Sequence, residues 1–318
     1  MSSTPSRRTA APSVREALAR LLLTRELGQR MPPVQELQDL IGAGAGTVVK
    51  ALRQLQSAEA VGLDSRGRSG TVITSRHVGR LWEYAGLGNL HVAMPPPGPL
   101  EQQAIAAVLQ EGLARLGIPM VVDFGSGSRD RLAAVFHERA QVAVTSLAAF
   151  HHHSKDMGGL IPLDLGTGTY YAPDSLVIVE RAESSKNAGP RRVGIDNRSF
   201  DHEQLTHAEF DPLTPEYVDC AFYRAPAAVL AGDIDAAVWH ELPTVIPPRL
   251  AGLRLRRLGP EAIERTAGIT NAALITRALD APVNAAIRTV RIAEVAPRQR
   301  ALAAQDASHG DGPAFWPR

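Results

Sequence analysis

Strand-like and helical stretches alternate from residue 90 onwards, and this alternation constrains the fold more than any other feature of the sequence. Short apolar runs typical of strands occupy Leu90–Ala93, Met120–Asp123 and Gln141–Thr145. Between them, Leu100–Leu116 and Arg129–Arg139 have the length and periodicity of helices. Strands separated by single helices usually become parallel neighbours. The pattern therefore predicts an α/β domain with a mainly parallel sheet.

A second alternation follows a polar stretch, ESSKNAGPRR at 183–192, that is typical of a hinge. Its strands and helices, with a later return strand and helix, are Arg192–Ile195, Phe200–Ala208, Val218–Phe222, Ala225–Ala231, Ile234–Val238, Thr270–Thr276 and Ala281–Glu294. Two α/β groups with a return segment favour a two-lobed clamshell. We predict this domain at 89–300, with lobe 1 at about 89–180 and 268–300 and lobe 2 at about 181–267. The basic run LRLRR at 253–257 is expected to be an exposed edge strand.

The charge of the chain is divided between its two ends. The formal net charge is +1, but residues 1–80 contain 12 Lys and Arg against 6 Asp and Glu, a net of +6. The remaining residues contain 22 against 27, a net of −5, and all 15 aromatic residues lie among them. A basic head on an acidic body is typical of a nucleic-acid module attached to another domain.

Three short amphipathic helices are predicted in the basic head, after a mobile arm at 1–13. The first begins at the N-cap Ser13 and ends by Gly28. The second follows the pair Pro32–Pro33, and the run Gly42–Gly46 separates it from the third, which ends near Ser57. Two short helices joined by a tight glycine turn form the helix-turn-helix pattern.

Two strand-like runs follow the third helix and predict a hairpin, or wing. They are Ala60–Leu63 and Thr71–Thr74, and the segment Asp64–Gly70 between them carries two arginines. The run PPVQELQDLIGAGAGTVVKALRQLQSAEAVGLDSRGRSGTVI thereby resembles the winged helix-turn-helix of GntR-type regulators. The resemblance covers about 14–74, within a domain that we place at 14–78.

The GntR-type resemblance implies which residues contact DNA. Thr47, Lys50 and Arg53 would face the major groove, and the wing residues Arg66, Gly67 and Arg68 would contact the backbone or minor groove. The chain departs from the GntR pattern where Ser-Arg and a further Arg are usual, because Gly44, Ala45 and Val49 stand there. Affinity per monomer should then be lower, and a homodimer or the N-terminal arm would supply the rest. The alternative is a winged helix used for protein contacts.

A connector at 79–88 joins the head to the body. Its Trp82 and Tyr84 are too apolar for a free linker, so we expect them to pack between domains or across a dimer. The body resembles the type 2 periplasmic-binding-protein fold used as an effector domain. The segments GTVVKALRQLQ, RGRSGTVI, RLWEYAGL, AMPPPGPLEQQAIAAVL and SGSRDRLAAVFHERAQVAVTSLAAF together resemble the YhfZ-type regulators, in which a GntR-like winged helix precedes such a domain.

Three strand-to-helix turns of lobe 1 are candidate ligand-binding segments, because ligands of open α/β sheets bind beyond the strand ends. The first carries Met94 and Pro95. The second is GSGSR, where a helix N-terminus and an arginine favour an anion. Its alternative is a plain capped helix start. The candidate residues of these turns are Met94, Pro95, Gly125, Ser126, Gly127, Ser128, Arg129, Thr145 and Ser146.

Lobe 2 and the crossover offer further candidates for contact with a ligand. Asp196 and Tyr223 follow strands and either close over the ligand or lie on surface loops. Tyr170, next to Tyr171, either stacks on the ligand or packs in the core. These residues and the turns of lobe 1 define the predicted effector cleft.

Several classes of protein are excluded or disfavoured by motif. The single Cys220 excludes a disulfide framework within the chain and a cysteine-based zinc site. The His151–His153 run lacks tetrahedral metal spacing, and we interpret it as a loop. No GxGxxG, Walker, GxSxG or HExxH motif is present, so no cofactor or catalytic residue is expected. No apolar run has the length of a membrane span, and the first residues lack a signal sequence, so we expect a cytoplasmic protein.

These features together predict a ligand-responsive transcriptional regulator. Its head would bind double-stranded operator DNA as a homodimer, and a small, anionic effector would bind between the lobes. Two alternatives stay open: an enzyme with a clamshell body, and an architectural protein whose body only dimerises. After Arg300 the periodicity is lost, so 301–318 is expected to be a mobile tail.

Overall fold

The computed structural model describes residues 12–183, 191–210, 213, 215–244 and 246–308, which form two compact units. The first unit contains the chain up to Leu90 with segments 113–119 and 280–289, and the second contains the remainder. Most of the expected arm and of the expected hinge, and the last ten residues, lie outside the described part.

The first unit begins with three helices, a hairpin and a fourth helix. These are α1 (Val14–Leu23), α2 (Val34–Ile41), α3 (Ala45–Ser57), β1 (Val61–Ser65), β2 (Thr71–Arg76) and α4 (Val78–Tyr84). The Ser13 cap is confirmed, because its hydroxyl accepts the Glu16 backbone N–H and the Glu16 carboxylate accepts the Ser13 N–H. Helix α1 ends at Leu23 rather than Gly28, since the next apolar side chain, Leu27, is exposed.

A tight turn at Gly42 joins α2 to α3. Gly42 has a φ of +71°, a left-handed conformation that favours glycine, and its N–H caps α2. Helix α3 begins at Ala45, so the expected break at 42–46 is shorter than the glycine pattern indicates. Leu22, Leu37 and Leu55, from the three successive helices, are fully buried and form the centre of the head.

The hairpin β1–β2 has the antiparallel pairing expected of a wing, from Val61↔Arg76 to Ser65↔Thr71. Its tip is a single 3₁₀ turn at Gly67–Ser69. The expected connector is largely helical, because α4 occupies most of it. Trp82 is buried within this unit, and its Nε1 donates a hydrogen bond to the Gly88 carbonyl at 2.8 Å.

The rest of the chain alternates strands and helices. In chain order these are β3 (Leu90–Met94), α5 (Leu100–Arg115), β4 (Met120–Phe124), α6 (Ser128–Phe136), β5 (Val142–Ser146), α7 (Leu147–His153), β6 (Leu160–Asp164), β7 (Leu176–Arg181), β8 (Arg192–Ile195), α8 (Phe200–Glu209), β9 (Glu216–Asp219), α9 (Ala225–Ala231), β10 (Ala236–His240), β11 (Leu253–Arg257), α10 (Pro260–Arg265), β12 (Ala272–Arg277), α11 (Ala281–Ile287) and α12 (Val295–Ser308).

The strands from β3 onwards form two five-stranded sheets, one in each lobe of the second unit. Lobe 1 has the order β4-β3-β5-β12-β6 and lobe 2 the order β11-β7-β10-β8-β9. The pairs β3–β5, β8–β9 and β8–β10 are parallel, whereas β12 and β7 are antiparallel to both of their neighbours. Each sheet therefore departs from the predicted parallel arrangement at one strand, the return strand β12 in lobe 1 and the crossover strand β7 in lobe 2.

The crossover between the lobes precedes the position that composition indicates. Strand β7 pairs within lobe 2 although we predicted lobe 1 to extend to about residue 180. Its apolar run is buried, and β7 is paired on both sides, with β10 and with β11. The LRLRR run is β11, at the edge of the lobe 2 sheet as expected.

Two segments that we predicted to be a loop and a mobile tail are helical. The histidines at 151–153 form the last turn of α7 rather than a loop, and His152 stacks on Phe200 with ring centroids 4.3 Å apart. Helix α12 extends to Ser308, because the alanine-rich start of the expected tail favours helix. Among the described residues, no helix is long and apolar enough to cross a membrane.

Candidate functional site

Loops at the carboxyl ends of strands from both lobes line one cleft. Its empty volume is about 760 Å³, counting the open mouth. Lobe 1 and the crossover contribute Pro95, Pro96, Pro97, Pro99, Gln102, Ser126, Gly127, Ser128, Arg131, Tyr170 and Tyr171, and lobe 2 contributes Asp196, Ser199, Asp201, Phe222, Tyr223, His240 and Leu242.

The structure brings most of the sequence-derived ligand residues together at this cleft. Those that form its wall are Pro95, Ser126, Gly127, Ser128, Tyr170, Asp196 and Tyr223. Four others, Met94, Gly125, Thr145 and Ser146, adjoin the wall without forming it. Arg129 is exposed and does not line the cleft.

The cation of the cleft is Arg131, which sequence reasoning missed. Its side chain is 5% exposed. Its guanidinium donates hydrogen bonds to the carbonyls of Val144 and Gly125, at 2.9 and 2.8 Å, and to the Tyr170 hydroxyl at 3.2 Å. These bonds fix the orientation of the guanidinium plane. A helical signal was available, because Ser128, Arg131, Leu132 and Val135 share the buried face of α6.

Asp201, in the first turn of α8, is a buried carboxylate on the lobe 2 side. It is 3% exposed, and its Oδ1 accepts a 2.7 Å hydrogen bond from the Ser146 hydroxyl of lobe 1. Burial raises the pKa of Asp201 to about 6, although the Ser146 hydrogen bond and the charge of Arg131 oppose the rise. The charge state of Asp201 therefore changes near pH 6.

Asp196, which follows β8, organises the loops of lobe 2. Its Oδ2 accepts the Phe222 N–H at 2.9 Å, and its Oδ1 accepts the Arg198 N–H at 3.1 Å. The Asp196 N–H donates to His202 Nδ1 at 2.9 Å, so His202 carries its proton on Nε2 and donates it to the Val238 carbonyl. Burial lowers the pKa of His202, which keeps this connecting imidazole neutral.

Aromatic rings cover much of the remaining wall. Tyr170 and Tyr171 meet edge to face with centroids 4.9 Å apart, and Tyr171 meets His240 at 5.0 Å. Burial raises the pKa of Tyr170 to about 12 and that of Tyr171 well above its usual value, so both phenols stay protonated. Tyr223 is largely exposed at the cleft, and Phe222 lies near His202 at 5.2 Å.

A second polar pair joins the lobes behind these rings. Glu101 of α5 and His240 at the end of β10 are both buried, with 3.1 Å between His240 Nε2 and Glu101 Oε1. The Ala172 N–H donates to the same carboxylate at 2.7 Å. Burial alone would raise the pKa of Glu101, but the charge and hydrogen bond of His240 outweigh it and hold the pKa at about 2.

The head presents its sequence-derived DNA residues on one exposed face of α3 and at the wing tip. Thr47, Lys50 and Arg53 are exposed, whereas Val48 and Ala51 on the opposite face are buried. The wing residues Arg66, Gly67 and Arg68 are also exposed. Arg66 forms a 3.1 Å ion pair with Asp64, which leaves the charge of Arg68 uncompensated by this carboxylate.

The histidine run at 151–153 was also considered from the sequence as a metal site. Among the residues that the structure describes, no group of three histidine, cysteine, aspartate or glutamate side chains is placed to hold a metal ion. The imidazoles of α7 instead contact Phe200 and one another.

Comparison with known proteins agrees with this architecture. A family model described as the YhfZ C-terminal domain matches residues 77–309, and one described as a helix-turn-helix domain matches residues 26–73. The protein YhfZ of Escherichia coli (strain K12) is 28% identical over 278 residues, which cover 86% of this chain and 88% of that relative.

Solved structures show the same fold. YhfZ from Shigella flexneri is 25% identical, with a TM-score of 0.51, over 75% of this chain and 98% of that chain. The zinc-bound ligand-binding component of an ABC-type import system from Staphylococcus aureus is 15% identical with a TM-score of 0.51, over 70% of this chain and 79% of that chain. The second likeness shows the fold alone.

The fold defines a class of protein in which a helix-turn-helix domain precedes a two-lobed α/β domain like that of periplasmic binding proteins. This is the domain composition of a transcriptional regulator. Within that class, the chain belongs to the YhfZ C-terminal domain family.

Proposed function

We propose that this protein is a cytoplasmic, ligand-responsive regulator that binds operator DNA through α3 and the wing. The observation that carries the proposal is the division of one chain into an exposed basic helix face and a cleft with fixed polar groups. A helix of this diameter fits the major groove, where lysine and arginine hold phosphate or read guanine. The GntR-like pattern of helix and wing supports this placement.

A homodimer is the assembly that this head requires. Gly44 precedes α3 as its N-cap residue, and Ala45 and Val49 occupy its first turns. The helix therefore presents Lys50 and Arg53 as its cations, and one head makes few ionic contacts. Two heads on two half-sites double those contacts and set the half-site spacing.

The cleft is the proposed effector site. Arg131 and the free N–H groups at the start of α6 favour an anionic group on the ligand. A ligand that contacts both lobes would favour a closed arrangement of the lobes over an open one. The ligand can change DNA affinity only to the extent that the ligand binds the closed and open arrangements with different affinity.

We propose no catalytic role for the cleft. His202, the imidazole next to Asp196, has both ring nitrogens bonded to backbone groups, and His240 Nε2 is bonded to Glu101. An imidazole acting as a general base needs a free ring nitrogen within reach of the substrate.

Salt-dependent binding to DNA upstream of its own gene tests the proposal. The variant R66A/R68A should bind more weakly, and its plot of log affinity against log salt should be shallower by about 0.9 for each phosphate that the wing no longer neutralises. The matched control is R139A/R265A, which removes the same charge from exposed positions on the body. An unchanged slope in the wing variant would contradict the wing assignment.

A further inference from the structure

The two lobes present opposite charges to the cleft. Lobe 1 contributes the Arg131 guanidinium and the start of α6, whose backbone has no side-chain cap. Lobe 2 contributes the carboxylate of Asp201; that of Asp196 also lines the cleft but is ion-paired with Arg198 at 3.3 Å. A ligand that contacts both lobes therefore meets positive charge from lobe 1 and negative charge from lobe 2.

Unpartnered polar atoms at the cleft point to a ligand. Ser128 and Gln102 are 4% and 5% exposed, and in the described part of the chain Ser128 Oγ and Gln102 Oε1 have no hydrogen-bond partner. A buried polar atom without a partner is destabilising, so such atoms usually bind something. The serine hydroxyl donates to an anion, whereas an amide oxygen accepts from an N–H group.

Arg131 and Asp201 also have hydrogen-bonding groups that no described residue engages. Each of the two η nitrogens of Arg131 donates one hydrogen bond within the protein and carries a second N–H that no described residue accepts. Asp201 Oδ1 accepts the Ser146 hydroxyl, which leaves Oδ2 for another donor. The spare donors thus lie on lobe 1 and a spare carboxylate oxygen on lobe 2.

We propose that the effector is a compact zwitterion, an amino-acid-like molecule whose carboxylate binds Arg131 and Ser128 and whose ammonium binds Asp201 and Gln102. The rings of Tyr170, Tyr171 and Phe222 enclose its apolar part. The inference rests on the proposed function only in placing the effector in this cleft. It replaces a purely anionic effector by one with both charges.

Ligands of a single charge fit the cleft less well. A simple anion would satisfy Arg131 but would lie in the same cleft as the Asp201 carboxylate. A simple cation would pair with Asp201 and leave Arg131 and Ser128 without partners. Only a molecule with both groups satisfies both walls, and it bridges the lobes in doing so.

Calorimetric titration of the full chain at pH 7.5 with the twenty standard α-amino acids tests the proposal. For each amino acid that binds, the N-acetyl derivative removes the ammonium and the amide removes the carboxylate. We expect each modification to weaken binding about tenfold or more. The proposal is overturned if no amino acid binds, or if an N-acetyl derivative or an amide binds as tightly as its parent.

Two substitutions test which residues bind the carboxylate and which bind the ammonium. S128A should weaken the amino acid and its N-acetyl derivative alike, because both keep the carboxylate. D201N should weaken the amino acid about tenfold but leave binding of the N-acetyl derivative unchanged or stronger. The control S57A, on an exposed face of the head, should change neither. Equal effects of D201N on both ligands would overturn the assignment of the ammonium.

The two proposals fail separately. Amino-acid binding that follows these rules, in a protein whose DNA affinity is indifferent to R66A/R68A, would sustain the zwitterion site and contradict the regulator. Wing-dependent DNA binding with no response to any amino acid would sustain the regulator and contradict the zwitterion site.

Discussion

The Ser146 hydroxyl donates a 2.7 Å hydrogen bond to Asp201 Oδ1, and this bond joins lobe 1 to a residue of the cleft wall in lobe 2. Ser146 ends β5 of lobe 1 and also caps α7 through the Ala149 N–H, whereas Asp201 lies in the first turn of α8 of lobe 2. One serine thus fixes a helix start in its own lobe and a carboxylate in the other.

Removing this hydroxyl should destabilise the protein. S146A takes a donor from a buried carboxylate and a cap from α7, so we expect the free energy of unfolding to fall by about 1–3 kcal/mol. Urea denaturation followed by circular dichroism measures the change. S57A, at the exposed end of α3, is the control and should stay within about 0.5 kcal/mol of wild type. Equal stability of S146A and S57A would show that the bond between the lobes is dispensable.

Glu101 should make the protein sensitive to acid. Its folded pKa of about 2 lies below its ordinary value of 4.5. Stability from this group is therefore complete above pH 4.5 and is lost as the pH falls towards 2, by about 3 kcal/mol at most. E101Q should remove that part of the pH dependence in urea unfolding between pH 5 and 3. A slope unchanged from wild type would mean that the Glu101–His240 pair does not stabilise the fold.

Asp201 should have the opposite effect. Its folded pKa of about 6 lies above the ordinary 3.8, so stability from this group is greatest below pH 3.8 and falls as the pH rises through 6. The groups that face it are Arg131, the Ser146 hydroxyl and the phenols of Tyr170 and Tyr171. D201N should be more stable than wild type at pH 7.5 by about 1–3 kcal/mol, yet bind the effector more weakly. Lower stability of D201N at that pH would contradict the raised pKa.

The sequence predicted the elements of the lobes well because strands and helices there are short, apolar and regularly spaced. β8 and α9 have the predicted bounds, and α8 differs by one residue. The order and direction of the strands were harder to predict, because they depend on how segments far apart in the sequence connect. Strand β7 therefore joined the lobe that composition did not indicate.

The cleft was predicted less completely than the fold. Turns after strands located Ser126 to Ser128, but the choice between Arg129 and Arg131 depends on which face of α6 meets the sheet. Buried Ser128, Leu132 and Val135 fix that face once the helix start is known. The Glu101–His240 pair joins residues 139 positions apart, and no local pattern records such a contact.

Gly127 should tolerate no side chain, whereas its neighbour Gly125 should. Gly127 has a φ of +79°, and a Cβ there would lie 3.0 Å from the Arg198 carbonyl oxygen of lobe 2. G127A should lower the free energy of unfolding by about 1 kcal/mol or more and weaken effector binding, because the lobes cannot approach as closely. At Gly125 the nearest atom to a Cβ is Arg131 Cγ, at an ordinary 3.8 Å. Equal affinities of G127A and G125A would show that close approach of the lobes does not contribute to binding.

A cation introduced at the start of α3 should strengthen DNA binding. Ala45 is the first residue of that helix and is exposed, on the helix whose Thr47, Lys50 and Arg53 we expect in the major groove. In A45R each head carries an additional side chain that reaches a phosphate. We expect tighter binding and a log–log salt slope steeper by about 0.9 for each additional phosphate neutralised. A45Q, which adds a polar side chain without charge, is the control and should leave the slope unchanged. If A45R and A45Q had the same salt slope in gel-shift titrations, α3 would not lie against the phosphates as proposed.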